Sequence, residues 1–186
     1  MCYNYIGDIM RVISGKYKGK NLIGFDIDGT RPTMDRVKES LFGIIQNNLK
    51  NSVVLDLFAG SGSLGIEALS NGASEAYFID NNMDLINIIK KNTIGMNDKI
   101  HIMKSDYKNA LEILKDSNIK FDIIFLDPPY KLNLINDCLN KIIEYNLLNK
   151  NGIIVCEYET EEINNDSLIL IKDKKYGSKK IKIFTL

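Results

Sequence analysis

From residue 53 onward, short apolar segments alternate with segments whose apolar residues recur every three or four positions. Short segments rich in branched residues are typical of buried strands, whereas the three-to-four spacing indicates amphipathic helices. The predicted strands span residues 53–57, 76–80, 100–103, 123–126 and 153–156. The predicted helices between them are marked by apolar residues within 64–69, 85–89, 110–114 and 134–143. This alternation predicts a parallel sheet covered by helices on both faces.

The two ends of the chain follow other patterns. Residues 168–171 and 181–184 are apolar and flank a basic turn at 174–178, which predicts an antiparallel hairpin. Residues 11–24 are rich in Gly and Lys and indicate a small hairpin or loop, and residues 33–49 indicate a helix. The expected fold is therefore α/β, with a central, mostly parallel seven-stranded sheet, an antiparallel C-terminal hairpin and a small N-terminal hairpin and helix.

Composition restricts the partners of this chain. Its 24 Lys and Arg residues balance 24 Asp and Glu residues, so a nucleic-acid partner would need a local basic patch. Cys2, Cys138 and Cys156 are too few and too scattered for a disulfide framework or a metal site, and no metal is expected. The single histidine, His101, lies in a predicted strand and is interpreted as structural. No secretory signal and no apolar run near about 18 residues is present, so we expect a cytoplasmic protein without a membrane partner.

A rigid polar segment follows the fourth predicted strand. Its residues are Asp127, Pro128, Pro129 and Tyr130. The two prolines cannot donate to a sheet ladder, so the strand ends there, at the edge where open α/β sheets bind ligands. An exocyclic amino group on a flat base could donate to the Asp127 carboxylate and the Pro128 carbonyl while its ring stacks on Tyr130. The alternative interpretation is a strand end with a turn. We predict these four residues to be catalytic.

A glycine-rich loop connects the first predicted strand to its helix. Gly60, Gly62 and Gly65 match the spacing of a dinucleotide-binding loop, although such a match alone is weak. Asp56 precedes the loop at the strand end. A loop that cradles a pyrophosphate does not need an acid there. S-adenosyl-L-methionine carries an ammonium and a sulfonium and no phosphate, so the acid favours this cofactor.

Two later acids extend the predicted cofactor site. Asp80 ends the second strand about 20 residues after the loop, where an acid can accept hydrogen bonds from both ribose hydroxyls. Asp106 could contact the adenine amine with Tyr107 beside the ring; alternatively, Asp106 caps a helix that has Asn109 in its first turn. The predicted cofactor-binding residues are Asp56, Phe58, Ala59, Gly60, Ser61, Gly62, Asp80, Asn81, Asp106 and Tyr107.

These motifs resemble those of Rossmann-like, S-adenosylmethionine-dependent methyltransferases, whose amino-methylating branch carries D/N-P-P-Y/F after strand four. Residues 10–20 and 30–42, with R-P-T-x-D-R-V-K-E, narrow the resemblance to bacterial 16S rRNA guanine-N2 methyltransferases, the enzymes for guanine 966. The resemblance implies methyl transfer to a guanine N2 of 16S ribosomal RNA, with the small ribosomal subunit as partner. It also implies an RNA-contacting segment at 10–50 and a methyltransferase domain at 51–186.

The chain departs from the family at two places. Residues 1–9 precede the family pattern, and we expect them to be a disordered extension. Asp80 stands where the family more often has Glu, so the contact with the ribose uses a shorter side chain.

A set of residues in the first fifty is predicted to contact RNA. They are Arg11, Lys16, Arg31, Thr33 and Arg36. For individual lysines, a solvated surface is an equally good interpretation. The protein is expected to act as a monomer.

Rival functions remain open at the level of sequence. A DNA adenine-N6 methyltransferase could use the same Asp-Pro-Pro-Tyr segment but usually needs a large target-recognition domain. The front segment of this chain does not resemble protein glutamine methyltransferases. A nicotinamide dehydrogenase would leave Asp56 and residues 127–130 without a role. A non-catalytic ribosome assembly factor would not need both motifs. The sequence does not distinguish free RNA from an assembled subunit as the substrate.

Overall fold

The computed structural model of the chain describes residues 9–24, 31–129 and 132–186, with residue 9 and residues 31–34 described as backbone only. The expectation for residues 1–9 therefore lies almost wholly outside the described residues. Ile9 itself already pairs with Ile23, so the first strand starts one residue before the predicted boundary.

Seven strands form the central sheet, and a separate two-stranded sheet lies near the N-terminus. The strands are β1 (Ile9–Arg11), β2 (Asn21–Ile23), β3 (Val53–Asp56), β4 (Glu75–Asp80), β5 (Lys99–Lys104), β6 (Phe121–Leu126), β7 (Leu148–Tyr158), β8 (Ile169–Tyr176) and β9 (Lys179–Thr185). Their order in the central sheet is β5-β4-β3-β6-β7-β9-β8. The first five of these run parallel, and β9 is antiparallel to both β7 and β8. The predicted mixed sheet is confirmed.

Helices cover both faces of the sheet. They are α1 (Arg31–Leu49), α2 (Ser63–Ser70), α3 (Met83–Asn92), α4 (Tyr107–Asp116) and α5 (Ile135–Glu144). Successive strand residues point to opposite faces. Val54 and Phe125 accordingly pack with α1, α2 and α3, whereas Leu55 and Ile124 pack with α4 and α5. All four are fully buried, which explains why these strands read as continuous apolar runs.

The N-terminal hairpin is fastened to α2. Gly15 has a φ of +77°, and a Cβ there would lie 1.9 Å from the Ser70 carbonyl oxygen, so only glycine fits this contact. The next amide, that of Lys16, donates to the same carbonyl at 2.8 Å. Val12 and Leu22 are buried in the core that contains α2. The predicted small hairpin therefore exists and packs on the central domain.

Some sequence interpretations need adjustment. The C-terminal hairpin turns at Gly177 and Ser178, while Lys174 and Lys175 belong to β8, because the strand pairing continues to Tyr176 and Lys179. Cys138 and Cys156 are buried free thiols, as predicted. None of the described helices is both long and apolar enough to cross a membrane.

Candidate active site

A cavity of about 740 Å³ opens at the carboxyl ends of the parallel strands. Most of the predicted site residues line it: Asp56, Phe58, Ala59, Gly60, Ser61, Asp80, Asn81, Asp106, Tyr107, Asp127, Pro128 and Pro129. Parallel strands end at one edge of a sheet, so the chain brings these separated motifs together. Tyr130 lies outside the described residues.

The glycine-rich loop makes a left-handed turn between β3 and α2. Gly60 and Gly62 have φ values of 55° and 81°, which L side chains rarely adopt. Gly62 does not line the cavity; its amide donates to Ala59 at 2.7 Å inside the turn. Gly65 is needed for packing, since a Cβ there would meet the Phe78 ring at 2.3 Å. Gly62 therefore shapes the loop from behind, while Gly60 faces the cavity.

Asp56 is the most deeply buried acid of the cavity wall. Asp56 is 2% exposed, and its Oδ2 accepts a hydrogen bond from the Gly65 amide at 3.0 Å. Burial raises the pKa of this carboxyl to about 7, because water no longer solvates the charged form. A cation in the cavity would stabilise the ionised carboxylate. The arrangement fits a ligand that carries an ammonium or sulfonium.

Asp80 holds the glycine-rich loop at the end of β4. Its Oδ2 accepts from the Gly60 amide at 2.9 Å, and its Oδ1 accepts from the Asn82 amide at 2.9 Å. Each carboxylate oxygen has a further lone pair. Asp80 can therefore support the loop and accept hydrogen bonds from two ligand hydroxyls in the cavity.

Asp106 caps α4. Its Oδ1 accepts from the amides of Lys108 and Asn109 at 3.0 and 3.2 Å, and its Oδ2 accepts from the Asn109 side chain at 2.6 Å. The alternative interpretation of this residue, a helix cap, is what the structure shows. Asp106 nevertheless lines the cavity, so its predicted role toward a ligand stays a prediction.

Tyr107 and Phe58 form an aromatic part of the wall. Their ring centroids lie 5.7 Å apart, and the Tyr107 hydroxyl donates to Asp137 at 2.7 Å. Burial and this carboxylate raise the pKa of the Tyr107 hydroxyl, which keeps it protonated. The pair offers a fixed apolar surface to a flat ring.

Asp127 follows β6 on the side of the sheet that faces α1. Phe125, two residues earlier on the same side, lies 6.0 Å from the Phe42 ring of α1. Burial raises the pKa of the Asp127 carboxyl; the negative charge of Glu157 adds to the rise, and Lys179 opposes it. The adjoining Pro128 is buried. Asp127 and Pro128 thus line the cavity together at the strand end.

Glu157 and Lys179 also line the cavity, and sequence reasoning missed both. They form an ion pair between β7 and β9. Two signals were available in the sequence. Glu157 interrupts a run of apolar residues in its strand, and Lys179 shares an alternating face with Ile181 and Ile183.

The N-terminal segment supplies one wall of the cavity. Met10, Val37 and Leu41 contribute apolar surface to it. Lys38 also lines the cavity, and its ammonium donates to the Arg11 carbonyl at 2.8 Å and lies 3.2 Å from the Glu67 carboxylate. These contacts join the hairpin, α1 and α2 beside the cavity.

Two of the predicted RNA-contacting residues, Arg11 and Lys16, are exposed and each has an acidic neighbour. Arg11 lies 3.4 Å from Asp35, and Lys16 forms an ion pair with Asp98. Arg36 is exposed on α1. Arg31 and Thr33 belong to the first turn of α1, where only the backbone is described. Arg11 and Lys16 have structural partners, and contact of this set with RNA stays a prediction.

Within the described parts of the chain, no group of three or more His, Cys, Asp or Glu side chains is arranged to hold a metal ion. The acidic residues of the cavity are instead spread over several strand ends and helix α1.

Comparisons with known proteins place the chain among its relatives. The family model described as Conserved hypothetical protein 95 matches residues 10–185. The putative rRNA methyltransferase YlbH of Bacillus subtilis is 39% identical, over 94% of this chain and 98% of that protein. Ribosomal RNA small subunit methyltransferase D of Haemophilus influenzae is 36% identical, over 90% of this chain and 89% of that protein.

A solved structure confirms the predicted Rossmann-like methyltransferase fold. The putative methyltransferase yhhF from Escherichia coli superposes with a TM-score of 0.81 at 27% identity, covering 95% of this chain and 97% of that one. The family match spans both the glycine-rich loop and the Asp127 strand end. The chain therefore belongs to the Conserved hypothetical protein 95 family, and its similar proteins include one named ribosomal RNA small subunit methyltransferase D.

Proposed function

We propose that the protein transfers a methyl group from S-adenosylmethionine to the exocyclic N2 of a guanine in 16S ribosomal RNA, with guanine 966 as the target by family resemblance. One observation carries the proposal. The Asp127 carboxylate and Pro128 open into the same cavity as the glycine-rich loop and its two acids, Asp56 and Asp80. The names of the relatives support ribosomal RNA as the substrate.

The cavity fits S-adenosylmethionine, which supplies an electrophilic methyl group on a sulfonium. Asp56 would hold the ammonium, because a buried carboxylate with a raised pKa gains most from a nearby cation. Asp80 would accept hydrogen bonds from the ribose hydroxyls, and the pair Phe58 and Tyr107 would lie against the adenine. S-adenosylmethionine carries no phosphate, so this site needs no phosphate-binding group.

Asp127 and Pro128 position the nucleophile. The guanine N2 lone pair is delocalised into the ring, so the free amine attacks poorly. Hydrogen bonds from N2 to the Asp127 carboxylate and the Pro128 carbonyl aim the nitrogen and favour its pyramidal form, so catalysis rests on positioning and electrostatics. The nitrogen gains a methyl and gives up one proton. Asp127, whose pKa burial raises, would accept that proton.

The substrate is a base that has left its helix, as base-modifying enzymes require. The N-terminal hairpin and α1 form one wall of the cavity. Arg36 is exposed on α1, next in sequence to Val37 of that wall. We place ribosomal RNA across this wall, with the small ribosomal subunit as the working substrate.

The test is methyl transfer from labelled S-adenosylmethionine to undermethylated small ribosomal subunits, beside naked 16S RNA, DNA and protein, with nucleoside analysis of the product. We expect N2-methylguanosine from the subunits. Asp127→Ala should lower turnover about 100- to 1,000-fold while cofactor binding persists. Label in DNA or protein alone, or wild-type turnover in Asp127→Ala, contradicts the proposal.

A further inference from the structure

Four neighbouring strands place one charged side chain each on the same face of the sheet. The residues are Asp56 on β3, Asp127 after β6, Glu157 on β7 and Lys179 on β9. Asp56, Asp127 and Glu157 each come two positions after a residue of the core that packs on α1 or α2. Lys179 comes two positions before such a residue, Ile181. Side chains two positions apart share a face, so the four charges lie on one face of the sheet at the cavity, in a row that follows the order of the strands.

Asp127 and Glu157 stand side by side in this row. Leu126 pairs with Cys156 in the parallel ladder, so the next residue on each strand lies at the same level. Neighbouring strands are about 4.8 Å apart, which lets both carboxylates reach one planar ligand. Asp56 lies two levels lower, because it pairs with Phe125.

The ion pair of Glu157 and Lys179 extends the row. Glu157 is 9% exposed and Lys179 donates to its Oε1, and the positive charge also acts on Asp127. A largely buried ion pair is often no better for stability than apolar side chains of similar volume. On the same face of these strands, Val155 and Ile183 show that the core accepts apolar residues there. Stability alone therefore does not explain why these charges line the cavity, where they can contact a ligand.

The order of groups along the row is acceptor, acceptor, donor. The Watson–Crick edge of guanine presents, in order, the N2 amine as donor, N1–H as donor and O6 as acceptor. Adenine presents an acceptor at N1 and a donor at position 6. Base-modifying enzymes read an extruded base through hydrogen bonds to this edge.

We propose that Glu157 and Lys179 select guanine: Glu157 accepts from N1–H and Lys179 donates to O6, while Asp127 accepts from N2. The assignment rests on the proposed function, since it concerns the base whose N2 is methylated. It makes Glu157 and Lys179 specificity-determining residues.

In the test, 2,6-diaminopurine replaces the guanine that is to be methylated in reconstituted small subunits. This base keeps the N2 amine but has an acceptor at N1 and a donor at position 6. A site built to bond an N–H rejects an analogue that lacks it. The wild-type protein is expected to prefer guanine by about 100-fold or more in kcat/KM.

Variants assign the preference to the two residues. In Glu157→Gln, the amide can donate to N1 of diaminopurine, so the preference for guanine should fall at least about 10-fold. Lys179→Met should lower kcat/KM for guanine and leave that for diaminopurine unchanged or higher. Glu112→Gln, an exposed change on α4 outside the cavity wall, should keep the wild-type preference. The double variant Glu157→Gln/Lys179→Met leaves no unpaired buried charge and should also lose the preference.

The outcomes separate this inference from the proposed function. A wild-type protein that methylates both bases equally overturns the inference, as does a wild-type preference that persists in folded Glu157→Gln and in the double variant. A wild-type protein that methylates no guanine in subunits overturns the proposed function, and the assignment falls with it.

Discussion

The Gly60 amide donates to the Asp80 carboxylate across 2.9 Å, which ties the turn after β3 to the end of β4. Asp80 also lines the cavity. One side chain thus sets the shape of the glycine-rich loop and offers acceptors to a ligand, so its two roles can be separated by substitution.

We expect Asp80→Ala to weaken S-adenosylmethionine binding about 100-fold, because the loop loses its support and the ribose loses its acceptors. A hydrogen bond to a charged acceptor contributes about 1.5–3 kcal/mol. Asp80→Asn keeps an oxygen for the Gly60 amide and should lose less, about 10-fold. Isothermal titration calorimetry measures both. Asp84→Ala, an exposed change in the first turn of α3, serves as the control. Equal losses in the two Asp80 variants would show that loop support is irrelevant.

Asp56 predicts a pH dependence of cofactor binding. Its pKa of about 7 means that the free protein carries a proton there at low pH. A bound ammonium favours the ionised carboxylate, so binding releases a proton below pH 7 and affinity rises between about pH 5 and pH 8. Calorimetry in buffers of different ionisation enthalpy counts the released proton. Asp56→Asn should bind weakly with no such release; an identical pH profile in this variant excludes Asp56 as the titrating group.

The same residue predicts a change in stability with pH. Its folded pKa of about 7 lies above the ordinary 3.8, so the folded state holds the proton more tightly. The corresponding stability is fully present below about pH 4 and is lost as the pH rises through 7, by up to about 4 kcal/mol. Asp56→Asn should therefore be more stable than the wild type at pH 8, and the difference should shrink toward pH 5. Urea denaturation of the ligand-free proteins at both pH values measures this, and a constant difference would contradict it.

Glu67 joins the N-terminal hairpin to α2. This fully buried carboxylate accepts from the amides of Ile13 and Ser14 at 2.9 and 2.8 Å and pairs with Lys38. Glu67→Gln leaves the Lys38 charge unpaired and should lower the free energy of unfolding by about 3–5 kcal/mol. Chemical denaturation measures the loss.

A matched control for Glu67 is Glu112→Gln on the exposed side of α4, which should change stability by less than about 0.5 kcal/mol. Lys38→Met combined with Glu67→Gln removes the orphaned charge and should recover part of the loss. If the double variant is as unstable as the sum of the single ones, the two side chains are not coupled.

Gly65→Ala should destabilise the fold by about 1–3 kcal/mol, because the added Cβ would meet the Phe78 ring at 2.3 Å in a packed core. The cost exceeds the roughly 1 kcal/mol that alanine gains over glycine in a helix. Phe78→Leu should relieve the clash in the double variant. Gly43→Ala in α1, where a Cβ meets nothing within 4 Å, should instead stabilise the protein. Thermal unfolding of the wild type and these three variants measures the changes in stability. A stabilised Gly65→Ala variant would contradict the packing argument.

Local patterns in the chain predicted the fold well. Residues 123–126 and 153–156 appear as buried strands in β6 and β7, since continuous apolar runs are what strands covered on both faces require. The glycine-rich loop and the Asp127 segment share one cavity because each follows a strand of the same parallel sheet. The order of motifs along the chain was sufficient for that inference.

The partners of charged side chains were settled only by tertiary structure. Lys16 pairs with Asp98 and Lys38 with Glu67, contacts between residues that are far apart in sequence. Periodicity tells which face a side chain occupies, and nothing in it tells which distant residue meets that face.

By itself the sequence determined the strands, the helices and the edge where the site lies, because hydrophobic period and glycine positions act locally. Only the tertiary structure decided that Glu157 and Lys179 join Asp127 in one row, because that depends on β9 returning antiparallel beside β7. The physical reason is that burial and charge pairing depend on strand order, and strand order is a property of the assembled sheet.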